Sequence, residues 1–179
     1  MSYSDVLSFW FEEVDESLWW KKDEGFDQKI RERFLTLHEQ ANRCELFTWR
    51  TSAQGRLAEI ILLDQFSRNM FRGSSKAFAS DVLALTLAQE MISLGQDKEL
   101  SEAQRRFVYM PHMHSESLII HEEAVKLFEQ LGNEKVLGFE IRHKDIIEQY
   151  GRYPHRNDIL GRESTAEEIE FLKQPGSSF

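Results

Sequence analysis

The chain has 179 residues, of which 41% are hydrophobic and 12% aromatic, enough for one domain with its own core; this composition excludes a disordered protein. Its net charge of -9 repels nucleic-acid phosphates, and we find no large basic face that would overcome this repulsion. The lone Cys44 excludes an intramolecular disulfide or a cysteine metal site and favours a reducing, cytoplasmic location. With no leader-like start and only short apolar runs, we expect neither export nor membrane insertion.

Apolar residues in the first half of the chain recur at spacings of three and four, which predicts helices. The first clear helix starts near Asp23 or Glu24, where an acidic side chain can cap it. The next is capped by Thr51 or Ser52 and runs toward Phe71. We therefore expect two long amphipathic helices before residue 73.

Two further helices are predicted in the middle of the chain. Ser74 and Ser75 open the first of them, and Gly95 closes it. A short helix from Ser101 is expected to end before Pro111, because proline removes a backbone donor and disfavours a helical residue ahead of it.

The last third of the chain predicts three more helices. Ser115 caps one that stops at Gly132, and the following one spans about Glu134 to Tyr150 and ends at Gly151. The run Ser164–Glu168 has the capping-box pattern of a short final helix. Because the connections are short and nothing alternates like a strand, we predict one all-α domain of antiparallel helices over residues 1–179.

Ionisable residues interrupt the apolar stripes of four predicted helices. Asp64 and Arg68 share one helix, and Asp81, Glu116 and His143 each lie on another. A buried charge without a partner costs on the order of several kcal/mol. We therefore predict that these five side chains are largely buried and belong to one hydrogen-bonded cluster.

Two interpretations of this cluster are open. In the structural one, the aspartate and arginine four residues apart pair with each other, Asp81 takes Arg152 or Arg156, and Glu116 accepts from a histidine. In the functional one, inward polar groups from several helices line a ligand pocket, as in other helical bundles.

The loop Gly151–Asn157 concentrates cations in an acidic protein. Arg152 or Arg156 can present a guanidinium fork to an anion, such as phosphate, sulfate or a carboxylate. His155 can donate when protonated, and Asn157 can donate to the ligand or cap the next turn. The alternative is that both arginines are used internally and the loop is a structural clasp.

A metal site would need His114, Glu116 and His143, with Asp64 or Asp81 as a further ligand. None of these residues has the spacing of a known metal motif, so we predict no metal and no other cofactor.

The remaining imidazole and indole side chains are interpreted as core residues. His38 and His121 lie inside predicted helices, where a satisfied core histidine is the simplest interpretation. The aromatic start of the chain, Phe9–Phe11 with Trp19 and Trp20, is expected to close the core rather than to form a stacking platform.

Four groups of short segments follow one another in a characteristic order along nearly the whole chain. They are Val6–Phe11, Gly55–Ala58 running into Leu63–Asn69, Tyr109–Pro111 leading to His114–Glu116, and Gly151–Asn157 with Leu160–Thr165. Together they resemble the bacterial DUF924 family. The resemblance implies an all-helical, tetratricopeptide-like fold and supplies no function. The polar positions that it implies fall on Asp64, Gln65, Arg68, Asp81, His114, Glu116, His143 and the run Arg152–Asn157.

From the sequence we expect a buried polar pocket that binds a small anionic or carboxylate-bearing ligand, with turnover an open question. The alternative is a tetratricopeptide-like module that binds a peptide of a protein partner and whose polar cluster is purely structural. Neither hypothesis involves nucleic acid or a membrane.

Overall fold

A computed structural model describes residues 1–178, which fold into helices and connecting turns without a β-strand. This confirms the predicted all-helical class. No helix in this range is long and apolar enough to cross a membrane. The chain forms two compact units: the first comprises Met1–Arg72 and Lys76–Pro111, and the second comprises Gly73–Ser75 and the chain from His112 onward. The prediction of one domain over the whole chain stays a prediction.

The α-helices follow one another closely. They are α1 Tyr3–Ser8, α2 Glu24–Asn42, α3 Ala53–Ile61, α4 Ser67–Met70, α5 Asp81–Ser93, α6 Glu102–Met113, α7 Leu118–Leu131, α8 Glu134–Tyr150 and α9 Ala166–Phe171. Single turns of other helix types lie between them: π-turns at Phe9–Glu13 and Leu62–Phe66, and 3₁₀ turns at Glu16–Trp20, Phe47–Thr51, Ser75–Ala77, Gln96–Glu99 and Pro154–Arg156.

The predicted helix starts in the first half are confirmed by their caps. Asp23 accepts a hydrogen bond from the Phe26 amide at 2.8 Å, and Ser52 accepts one from the Gly55 amide at 3.1 Å. These bonds satisfy backbone donors that a helix leaves open at its first turn. Beyond α3 the helix continues through the π-turn Leu62–Phe66 into α4, so the predicted run toward Phe71 is real but changes pitch.

Three predicted boundaries are wrong. Helix α7 begins at Leu118 with Ser117 as its N-cap residue, not after Ser115. Helix α5 begins at Asp81 rather than at Ser74 or Ser75, where the chain makes only a 3₁₀ turn. Helix α6 does not end before Pro111 but contains it and continues to Met113. Proline removes one helical hydrogen bond, yet Phe107, Val108, Met110 and Met113 are all buried, so packing of the helix outweighs the local preference.

The first unit has an aromatic core. Phe9 and Trp10 are fully buried, and the Trp10 ring stacks on Trp19 at 5.7 Å. The expectation that the tryptophans close the core fails at Trp20, which is 48% exposed. The Arg106 guanidinium lies 4.0 Å from the centre of that ring, so Trp20 makes a cation–π contact at the surface.

The second unit is built on an antiparallel hairpin of α7 and α8. Gly132 ends α7 in the left-handed conformation that glycine adopts readily, and Asn133 caps α8 by accepting from the Val136 amide. Ile146 and Ile147 of α8 form a small core with Tyr153. Tyr153 thus brings the predicted cationic loop into the interior of this unit.

Candidate functional site

The predicted polar residues fall into both units. Asp64, Gln65, Arg68 and Asp81 lie in the first unit, whereas Glu116, His143 and the rest of the predicted site lie in the second. Asp64 and His143 are buried. Arg68, Asp81 and Glu116 are largely but not completely buried, with side-chain exposures of 19%, 16% and 26%. A single cluster of all five stays a prediction.

Arg68 organises the carboxylate–arginine cluster of the first unit, which comprises Asp64, Gln65, Arg68 and Asp81. Its Nη1 lies 3.0 Å from the Asp64 carboxylate, which confirms the predicted pair, and its two terminal nitrogens bind both Asp81 oxygens at 2.9 and 3.0 Å. Gln65 donates to the other Asp64 oxygen at 2.6 Å. Asp64 and Gln65 sit in the π-turn, a helix irregularity that is frequent at functional sites.

Two arginines of the C-terminal loop are bound by carboxylates within the second unit. Arg152 makes a bidentate pair with Glu168, at 2.7 and 2.8 Å, and Arg162 makes one with Glu116, at 2.7 and 2.9 Å. Glu116 also accepts from the Tyr153 amide at 2.7 Å. The structure pairs Arg152 with Glu168 rather than with the predicted Asp81, and Glu116 accepts from Arg162 and a backbone amide rather than from the predicted histidine. Anion binding by Arg152 stays a prediction. We call these two ion pairs the C-terminal clasp.

Both clasp carboxylates are held in the ionised form. Burial opposes ionisation of Glu116, but Arg162 and the Tyr153 amide outweigh it and lower the pKa of this carboxyl. The pKa of Glu168 is lowered to about 2, chiefly by Arg152, although burial acts in the opposite direction. These shifts have a structural cause, since each carboxylate is matched by a guanidinium fork.

Asn157 completes the clasp. Its side-chain oxygen accepts from Arg162 Nε at 3.0 Å, and its side-chain nitrogen lies 3.3 Å from Glu168. The predicted roles for Asn157 were to donate to a ligand or to cap the next turn. In the structure its amide joins the two ion pairs to each other, and donation to a ligand stays a prediction.

Three side chains of the second unit donate to successive backbone carbonyls at the end of α6. Tyr153 Oη binds Met113 O at 2.6 Å, Arg156 Nη2 binds His114 O at 3.0 Å, and His121 Nε2 binds Ser115 O at 2.9 Å. Such carbonyls have no partner inside a helix, and a cation at this end also meets the negative pole of the helix dipole. The His114 carbonyl is thus one of the groups that satisfy Arg156, which is only 5% exposed.

Three imidazoles surround Tyr153, those of His121, His143 and His155. Together with His114, which acts electrostatically on His143, we call them the histidine cluster. The rings of His121, His143 and His155 lie 6.2, 5.8 and 5.6 Å from the fully buried Tyr153 ring. The Arg156 guanidinium lies 4.6 Å from the centre of the same ring. The cluster therefore gathers several groups that bind or transfer protons around one aromatic side chain.

His143 is an uncharged base at neutral pH. Burial lowers its pKa to about 3; the Phe139 carbonyl opposes this shift, and His114, His121 and His155 reinforce it. Its Nδ1 lies 2.7 Å from the Phe139 carbonyl oxygen. Because a carbonyl only accepts, Nδ1 carries the proton, and Nε2 keeps its lone pair.

Sequence reasoning missed the pair His121 and Glu140, which are both fully buried and 2.7 Å apart. Burial raises the pKa of Glu140, and His121 opposes that shift. A signal was present in the sequence: Glu140 and His143 share the stripe of Val136 and Ile147, all buried on α8. His121, interpreted as an ordinary core histidine, bridges this carboxyl and the carbonyl after α6.

Within residues 1–178, no group of three or more potential ligands is arranged to hold a metal ion. The alternative metal ligands that we considered were His114, Glu116 and His143. Of these, Glu116 binds the Arg162 guanidinium and His143 donates to the Phe139 carbonyl oxygen. That the protein is free of metal stays a prediction.

Comparisons with known proteins agree with this architecture. Among solved structures, a protein of unknown function from Agrobacterium tumefaciens, ATU0120, matches with a TM-score of 0.92 and 39% sequence identity over 97% of each chain. No curated protein matches the chain. The family described as bacterial protein of unknown function, DUF924, matches residues 6–176. The chain therefore belongs to the DUF924 family, as its sequence motifs predicted.

Proposed function

We propose that the second unit binds a small anionic or carboxylate-bearing molecule at the histidine cluster. Arg156 would supply the fixed positive charge, and His143 Nε2 would accept a hydrogen bond from a hydroxyl or amino group of the same ligand. The observation that carries the proposal is the collection of three imidazoles and a guanidinium around Tyr153. Clusters of buried groups with shifted pKa values are more frequent at functional sites than elsewhere.

Of the arginines Arg152, Arg156 and Arg162, we assign binding of the ligand to Arg156. Arg152 and Arg162 are each matched by a carboxylate, so neither is a natural anion receptor. Arg156 Nη2 donates to the His114 carbonyl oxygen, and its guanidinium lies over the Tyr153 ring at the centre of the proposed binding cluster. The two predicted roles of the loop, anion binding and structural clasp, are thus assigned in this proposal to different residues.

Mass spectrometry of small molecules released from gently isolated, then denatured, protein tests this proposal. Thermal denaturation with a panel of carboxylates and phosphates provides the second measurement, since a ligand that binds the folded state raises the midpoint. We expect one class of anion to be released and to stabilise the protein. No released molecule and no stabilisation by any member of the panel would refute the proposal.

Two substitutions at His143 separate binding from folding. His143→Asn retains a donor near the position of Nδ1 for the Phe139 carbonyl but loses Nε2, so we expect a normal fold and weaker ligand binding. His143→Gln places an amide near Nε2 and should retain more binding. The matched control is His38→Asn in the first unit, because His38 is also buried, with its pKa lowered to about 4 by burial. This control should leave ligand binding unchanged.

The alternative function, a tetratricopeptide-like module that binds a peptide, has one favourable observation. The α7–α8 hairpin exposes Ile119, Phe139 and Ile141 at 72%, 36% and 43%, and a peptide-binding module would use such side chains as apolar contacts. Under this alternative, Ile141→Glu would abolish binding of a partner peptide, and His143→Asn would not affect it. A cytoplasmic location fits both proposals and stays a prediction.

A further inference from the structure

A separate group of polar atoms in the first unit points to a binding site outside the histidine cluster. Asp97 is 3% exposed, and its Oδ2 accepts from the Tyr109 hydroxyl at 2.7 Å. Burial, reinforced by Asp97, raises the pKa of Tyr109, so the phenol keeps its proton and donates. Tyr109 belongs to a motif, Tyr109–Pro111, that the proposed function does not use.

Three buried atoms of Asp97, its neighbour Gln96 and Arg105 have no hydrogen-bond partner among residues 1–178: Asp97 Oδ1, Gln96 Oε1 and Arg105 Nε. Arg105 lies one helical turn before Tyr109, and its guanidinium is close enough to act on the phenol. Arg105 and Asp97 nevertheless make no direct hydrogen bond through these atoms. Asp97 and Arg105 therefore both act on the Tyr109 hydroxyl, and each keeps one buried polar atom without a hydrogen-bond partner.

We propose that one small hydroxyl-bearing molecule binds here, donating to Asp97 Oδ1 and accepting from Arg105 Nε. The mixture of partners selects the ligand. A metal cation or ammonium cannot accept from the Arg105 N–H, and a simple anion is repelled by Asp97. A hydroxyl both donates and accepts. A water molecule could also donate its second hydrogen to Gln96 Oε1, which gives the three hydrogen bonds typical of buried water.

A crystal structure of the full chain, at a resolution that reveals ordered solvent, tests this site. We expect electron density within hydrogen-bond distance of both Asp97 Oδ1 and Arg105 Nε. A single spherical peak identifies water, whereas extended density, with a matching mass released from the protein, identifies the hydroxyl of a larger molecule. A direct Arg105–Asp97 bond, or no density between them, would overturn the proposal.

Two controls strengthen this test. Arg105→Met retains most of the side-chain stem but removes the donor, and should lose the density. If this variant does not fold, transfer of magnetisation from water or ligand protons to Arg105 Hε in the wild-type protein answers the same question by NMR; no transfer would overturn the proposal. Trp10 Nε1 is likewise buried without a partner, but aromatic rings surround it, so we expect no ordered molecule there.

Discussion

Replacement of Glu168 by glutamine tests whether the C-terminal clasp stabilises the fold. Glutamine keeps the shape and can still complete the capping box with Thr165, so the substitution mainly removes the charge that faces Arg152. The pKa of Glu168 falls from its usual 4.5 to about 2, which corresponds to about 3 kcal/mol of stability at neutral pH. Because the Arg152 side chain is 28% exposed, solvent screening reduces our expectation to about 2 kcal/mol.

The pH dependence has a definite sign. A carboxyl whose pKa is lowered by folding contributes its full stability above its unfolded pKa, near 4.5 here, and loses it as the pH falls toward 2. Urea denaturation from about pH 7 to about pH 3 should therefore show Glu168→Gln destabilised at neutral pH, with the difference from wild type shrinking below about pH 4.5.

The matched control is Glu170→Gln on the same helix, where the glutamate is exposed and pairs with exposed Lys173. We expect a change of less than about 0.5 kcal/mol for this control. Equal stability of Glu168→Gln and wild type at pH 7 would refute the reasoning. So would a loss that does not vary with pH, because a charge-independent packing defect would then explain it.

Three other predictions concern buried pairs and metal content. His121→Ala should cost about 3–5 kcal/mol in urea denaturation because it leaves Glu140 fully buried without its donor; an unchanged midpoint would contradict this. Asp64→Ala should lower the free energy of unfolding by only about 1–3 kcal/mol in thermal denaturation, since Arg68 retains both hydrogen bonds to Asp81. A larger decrease would contradict this explanation, because Asp64 would then stabilise other groups besides Arg68. Elemental analysis of protein purified without an affinity tag should find no stoichiometric zinc, iron or manganese, and a full equivalent of any of them would contradict the prediction.

Local sequence signals were sufficient to predict a helix boundary where a single capping residue or glycine determines the backbone conformation. Asp23 and Ser52 begin helices as expected, and helix α8 spans the predicted residues from Glu134 to Tyr150. Each of these boundaries depends on a cap or on a glycine that tolerates a left-handed conformation. Such preferences act within a few residues and can therefore be recognised in the sequence.

Boundaries determined by distant packing could not be predicted in this way. Helix α6 passes through Pro111 because its buried residues hold it in place. The start of α5 was misplaced because two serines resemble a cap, whereas the chain reaches helical geometry only at Asp81. In both cases tertiary contacts, which are absent from a local window of sequence, override propensity.

The candidate site was predictable by residue type but not by partner. Periodicity correctly indicated that Asp64 and His143 face inward. It could not show that Arg162, rather than a histidine, would bind Glu116, because those residues are 46 positions apart. His121 was undervalued because its partner, Glu140, had not been recognised as buried.

The π-turn Leu62–Phe66 makes the length of this segment decide which direction Arg68 faces. A π-turn contains roughly one residue more than an α-helical turn, and each residue added to a helix rotates the downstream residues by about 100°. Deleting one residue here would produce a more regular helix, yet would swing Arg68 away from Asp81. In alignments of DUF924 proteins, a one-residue gap at Leu62–Phe66 would therefore identify members that cannot assemble the Arg68–Asp81 pair, even where both residues are present.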